Sequence, residues 1–323
     1  MKNIALVTFD SSFEFNKIFE EKVRDKCTYH WVKLKEALHE SNYNLSTIDA
    51  YSSSDKIDFY IFVGFSKKHL KFYIKNRLKP CDCVLIIREP KIIQPLPWKY
   101  LRILKHGFSK ILTWDLSFVK SNKNAVFLPI FFFSTDQILN QTNEKNKFAT
   151  LIVGKKSSSE KSELYSFRKK IINYYYKNNL IPELDLYGFG WGNKGEDIDV
   201  LSLYKGTVPN KNEILQNYYF SYCIENSTQP YYLSEKIFDS FLAGTIPIYK
   251  GDPLIHEQIP SNSFVNIDDF KTISDLHNYL KRLTKSELEC YINNGKNFLL
   301  SREAQVFLYN YFINTIKSVI KIN

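Results

Sequence analysis

The chain has 323 residues, 44% of them apolar and 24% charged, with 44 Lys and Arg against 34 Asp and Glu. That length supports two domains with a core in each, and that composition excludes a disordered or fibrous chain. The net charge of +10 points to nucleic acid, an anionic membrane or a phosphorylated ligand, with a plainly solvated surface as the bland alternative.

The opening MKNIALVTFD has too short an apolar run for a signal peptide, and no segment approaches the roughly 18 apolar residues of a spanning helix. The cysteines Cys27, Cys81, Cys83, Cys223 and Cys290 form no zinc-like spacing and read as reduced thiols of a cytoplasmic protein. Continuous apolar runs at 3–9, 59–65, 83–89, 110–114 and 125–129 predict strands covered on both faces, with helices such as 28–41 and 67–76 between them. A polar stretch at 136–147 reads as a linker. The pattern then restarts. Strands are expected at 150–154, 184–188, 219–224, 245–249 and 264–267. Helices are expected at 162–178, with Leu164, Phe167, Ile171 and Tyr175 at helical spacing, at 212–217, and at 235–243 before a stop at Gly244. The remainder reads as helical, broken near 284–286 and 301–302, with a last helix at 303–320.

The expected fold class is α/β, with two Rossmann-like parallel-sheet domains facing a cleft at the carboxyl ends of their strands. The boundaries read as an N-terminal domain 1–135, a linker 136–147, a ligand-binding domain 148–300, and a C-terminal helix within 301–323 that crosses back to the first domain.

The stretch NSTQPYYLSEKIFDSFLAGTIPIYKGDP, residues 226–253, carries the strongest chemical signal. Ser234 can cap a helix that Glu235 and Lys236 open. A lysine there opposes the helix dipole, whereas a diphosphate would satisfy both the dipole and the lysine. Glu235 can then hold neutral hydroxyls. The competing reading is a surface cap with a solvated lysine. The nearest acidic pair, Asp197 and Asp199, reads as loop, so no metal site is expected.

These residues closely resemble the donor-binding motif of glycosyltransferase family 10, the α-1,3/4-fucosyltransferases. That pattern runs approximately F-E-N-S, Y-x-T-E-K, a helix, then P-V/I-x-x-G. Ile224 and Ser234 replace its Phe and Thr. YKGTVPNKNEILQNYYFSYCIEN fits the lead into the motif, and LDLYGFGW resembles a D-x-Y-G-x-G segment, with Phe189 where many relatives carry a basic residue. The resemblance is strong over about 148–260 and weak before it.

What the resemblance implies is a GT-B fold and transfer of L-fucose, with inversion, from GDP-fucose to a hydroxyl of a glycan acceptor, α-1,3 to a GlcNAc- or Glc-type sugar. It implies no cofactor and no divalent metal. Glu235 maps to the ribose contact and Lys236 to the phosphate contact, while Asn226 and Tyr232 map near the phosphates and fucose. Arg168, in SELYSFRKK, fits the family's phosphate-gripping arginine, against a solvated place beside Lys169 and Lys170. Tyr204 is equally a donor contact or a core residue.

Inversion needs a base for the acceptor hydroxyl. Glu89, at the end of CVLIIRE, resembles the family's proposed base, with Asp10 and Asp115 as strand-end rivals. His30, His106 and His256 have nothing beside them to mark them out. The alternatives are a GT-B transferase of another GDP-sugar, or a non-catalytic protein binding nucleic acid or a membrane surface. No nucleic-acid module is recognisable. The basic surface, including the 317–321 tail, permits peripheral contact with the inner face of a membrane, consistent with a bacterial surface glycan as product.

Overall fold

The computed structural model describes residues 1–20, 28–138, 144–193 and 197–321. Cys27 and the middle of the expected linker lie outside the described residues. The chain divides into two compact units, Met1–Phe133 with Val306–Asn323, and Ser134–Gln305.

The first unit begins with β1 (Lys2–Val7), α1 (Tyr29–Glu40), β2 (Tyr43–Thr47), β3 (Phe59–Val63) and α2 (Lys67–Lys75). It continues through β4 (Cys83–Ile87), α3 (Pro95–Gly107), β5 (Lys110–Thr113), α4 (Leu116–Ser121) and β6 (Ala125–Phe127). All six strands are parallel, in the order β2-β1-β3-β4-β5-β6. The central β4 is buried at every residue, as its unbroken CVLII run demands. Strand β2 escaped sequence reading because YNLST shows one aliphatic residue; it is an edge strand buried only at Leu45, Ser46 and Thr47. Helix α3 also escaped it. Its Pro95 sits in the first turn, where a missing N–H costs nothing.

The second unit runs β7 (Lys147–Ile152), α5 (Tyr165–Lys177), β8 (Leu184–Tyr187), α6 (Ile198–Leu203), α7 (Lys211–Leu215), β9 (Tyr218–Ile224) and α8 (Glu235–Leu242). Then follow β10 (Ile246–Lys250), β11 (Val265–Asn266), α9 (Ile273–Arg282) and α10 (Lys285–Leu299). Its five parallel strands are ordered β11-β10-β9-β7-β8. The break between α9 and α10 is a capping box: the Thr284 N–H donates to Glu287 Oε2 at 2.8 Å, and Thr284 Oγ1 accepts the Glu287 N–H at 3.3 Å. Gly244 takes a left-handed φ of 61° just past α8, which ends that helix.

The chain then re-enters the first unit. Residues 303–307 form a 3₁₀ turn rather than the start of the expected long helix. Leu308 bridges Phe133 like a strand residue, and α11 (Tyr309–Val319) follows. Tyr309, Phe312 and Ile316 of α11 join Trp31, Leu34 and Leu38 of α1 in the core on one face of the sheet. A second core, around Phe62, Leu85 and Ile111, lies under α2 and α3 on the other face.

Candidate active site

Strand β9 delivers Glu225 to its carboxyl end, and α8 begins ten residues later. The Glu225 side chain is fully buried. Its Oε1 accepts the Ser234 N–H at 2.9 Å, and its Oε2 accepts Ser234 Oγ–H at 2.7 Å and Lys236 Nζ at 3.1 Å. Lys236 Nζ also donates to Ser234 Oγ at 2.9 Å. The expected cap is therefore replaced. Ser234 occupies the N-cap position, but its hydroxyl is turned to Glu225 and forms no cap hydrogen bond. The first turn of α8 lacks that internal acceptor, which is the condition for binding an external anion.

Arg168 approaches the same strand end from α5. Its place in the helix, one turn after Leu164 and one before Ile171 and Ile172, puts it on the buried face, and it is 2% exposed. Nη2 donates to the carbonyls of Ile224 and Glu225 at 2.8 and 2.9 Å and to Asn226 Oδ1 at 3.1 Å. The guanidinium lies 4.9 Å from the Tyr165 ring centroid, and Nε is buried without a hydrogen-bond partner. Asn226 passes the chain of contacts on, donating from Nδ2 to Tyr232 Oη at 3.2 Å. Tyr231 holds a left-handed φ of 63°, uncommon for a bulky side chain, and donates to Glu257 at 3.3 Å.

Glu235 is the exposed member of the group, with 39% of its side chain open against 15% for Lys236. Its Oε1 lies 3.8 Å from Lys236 Nζ and 3.5 Å from Lys211 Nζ, and Lys211 also donates to Asp239 at 2.9 Å. Burial would raise the Glu235 pKa, but the two lysines outweigh it and hold the carboxyl well below its usual range. Burial likewise works against the charge on Lys236, and Glu225 and Glu235 reverse it, so its pKa is raised. Both groups are ionised at neutral pH.

Of the residues singled out from sequence, Arg168, Asn226, Tyr232, Glu235 and Lys236 converge here. Tyr204 does not join them: it follows α6, donates to the Gly188 carbonyl at 3.1 Å and packs on the core. Glu89 belongs to the first unit, just past β4, half-buried, with its carbonyl accepting Trp98 Nε1 at 2.9 Å. Its rivals are occupied locally. Asp115 caps α4 by accepting the Phe118 N–H at 3.0 Å, and Asp10 accepts from the Ser12 N–H at 3.0 Å. His30 is enclosed by Trp31, Phe132 and Phe312, with Arg88 Nη1 3.2 Å from its Nε2. Among the described residues, no three His, Cys, Asp or Glu side chains cluster as metal ligands would.

Sequence reasoning missed Glu225 as a site residue. The available signal was a carboxylate directly after the apolar run YYFSYCI, where burial is costly without partners. Gly251 was missed too. A Cβ there would lie 2.5 Å from Glu225 Cγ and 2.7 Å from Tyr249 Oη, so only glycine leaves the carboxylate its place.

Two parallel, helix-flanked sheets define the chain as a GT-B α/β protein. A solved structure of an alpha1,3-fucosyltransferase matches it with a TM-score of 0.61 at 18% identity, covering 99% of this chain and 90% of that one. The same neighbour with GDP-fucose matches at a TM-score of 0.53. Residues 142–293, which contain the whole Arg168–Lys236 network, match the model of the glycosyltransferase family 10 (fucosyltransferase) C-terminal domain. That stretch, just under half of the chain, resembles the family 10 domain. It is similar to the alpha-(1,3)-fucosyltransferase FucT of Helicobacter pylori, 37% identical over 34% of this chain and 20% of that protein. It is also similar to the 4-galactosyl-N-acetylglucosaminide 3-alpha-L-fucosyltransferase 9 of Mus musculus, 29% identical over 40% of this chain and 34% of that one. The matched regions thus span only 20% and 34% of these relatives' own length.

Proposed function

We propose that the chain transfers L-fucose from GDP-fucose to a hydroxyl of a glycan acceptor, with inversion and without a divalent metal. The observation that carries this reading is the buried Arg168–Glu225–Ser234–Lys236 network at an α8 start without a side-chain cap, inside the family-matched stretch. Transfer breaks the bond between fucose C1 and the β-phosphate, and negative charge grows on the leaving GDP. Lys236, the Arg168 charge and the first N–H groups of α8 stabilise that charge more as it develops than before. Glu235, ionised and part exposed, accepts hydrogen bonds from the ribose hydroxyls, and Tyr232 with Asn226 bounds the sugar. As the acceptor oxygen bonds to C1 from the side opposite GDP, Glu89 takes its proton.

Calorimetry with GDP-fucose, GDP-mannose, GDP and UDP, without added metal, tests the donor assignment. Preference for GDP-fucose supports it. Equal binding of both GDP-sugars moves the assignment to another GDP-sugar, and failure of all four overturns it. Glu89→Ala is expected to keep GDP affinity within about twofold and to lose turnover by about a hundredfold or more. Normal turnover in that variant removes Glu89 as the base.

A further inference from the structure

The outer surface of α2 and α3 combines protruding aliphatic side chains with a single sign of charge. Right-handed crossovers from β3 to β4 and from β4 to β5 place both helices on one face of the first sheet. Tyr73 of α2 donates to the Gly107 carbonyl at the end of α3 at 2.8 Å, which fastens the pair together. Phe72 and Tyr73 of one, and Trp98, Leu101 and Leu104 of the other, face the core. On the opposite side Leu70 is 45% exposed, Ile74 65%, Tyr100 41% and Ile103 69%. Residues 67–79 contain six Lys or Arg, residues 95–107 contain three, and neither segment contains an acidic residue.

We propose that this face docks the protein on an anionic lipid surface. Leu70 and Ile74 stand one turn apart, as do Tyr100 and Ile103, so each helix presents a short apolar ridge. Lys67, Lys71 and Lys75 flank the first ridge, and Lys99 and Arg102 the second. Acidic headgroups satisfy the cations, the acyl boundary takes the aliphatic tips, and the long basic side chains reach outward past them. A nucleic acid would satisfy only the charges and leave Leu70, Ile74 and Ile103 in water. The 317–321 tail is a weaker candidate, because α11 spends Tyr309, Phe312 and Ile316 on the core. The inference stands independently of the sugar donor.

Co-sedimentation of the full chain with phosphatidylcholine vesicles, with and without phosphatidylglycerol, tests it. Binding is expected only with the anionic lipid, and to fall as salt is raised. The double variant Ile74→Glu with Ile103→Glu should bind about tenfold more weakly, with an unchanged circular dichroism spectrum and melting midpoint. Lys317→Glu should bind as the wild type does. Equal sedimentation with pure phosphatidylcholine, no sedimentation at low salt, undiminished binding of the double variant, or tighter binding to polyuridylate than to vesicles would each overturn the proposal.

Discussion

Glu225 is the residue on which the site turns. A fully buried carboxylate is tolerated because three donors surround it, one of them the Lys236 ammonium. Removing it leaves that ammonium without its buried partner, so Glu225→Ala is expected to lose roughly 3 kcal/mol of stability as well as GDP binding. A chemical denaturation curve and a calorimetric titration separate the two losses. Gly251→Ala removes no charged group but displaces Glu225 and the Tyr249 hydroxyl. It should weaken GDP binding by about tenfold, because a displaced Glu225 no longer holds Lys236 in its preorganised position. Affinity equal to wild type would mean that the carboxylate's position does not matter. Glu235→Ala and Lys236→Ala should each also lose donor affinity, by the same titration.

At the scale of elements, much of the site was legible and part was not, for identifiable reasons. Helix α8 could be read from Ile237, Phe241, Leu242 and the stop at Gly244, and its polar start marked the end proposed to bind the donor. Arg168 was named only through the family resemblance, since its neighbours Lys169 and Lys170 make it look solvated; the fold puts it on the buried face of α5 with Tyr165, Ile171, Ile172 and Tyr175. The use of the Ser234 hydroxyl could not be read, because an N-cap and a buried serine share one local pattern; only the return of β9 beside α8 decides between them. Edge strand β2 was invisible for lack of apolar residues, and the 3₁₀ turn at 303–307 because its break depends on a bridge to Phe133, far away in sequence. Thr284 gives an independent check on element boundaries. Thr284→Ala should cost about 1 kcal/mol in thermal or chemical unfolding and leave nucleotide binding untouched, since it removes a cap remote from the donor network.

For the whole molecule, acid should act first on the unit formed by residues 1–133 and 306–323, where two histidines are held neutral. Burial, reinforced by Arg88, keeps the His30 pKa well below its ordinary value of 6.5, and burial lowers His69 to about 4. The unfolded chain takes up these protons near pH 6.5 and the folded one does not. Their contribution is therefore complete above pH 6.5 and is lost as the pH falls toward 4, on the order of 3 kcal/mol for His69 alone. Thermal melts at pH 7 and pH 5 should show a gap that narrows in His69→Phe, and hydrogen exchange should show residues 1–133 opening earlier than 144–305. An unchanged gap would assign the acid sensitivity to other groups.

The Arg168 contacts have one more consequence. The segment 226–253 looks self-contained in the sequence, yet its first residue is fastened by a guanidinium 58 positions upstream, which also fixes the two carbonyls before it. The motif is therefore not a portable cassette. Spliced into another parallel sheet without an arginine arriving from the helix that follows β7, it would keep its letters and lose its shape. A drift in sequence along α5 would silence it just as surely as a change within it.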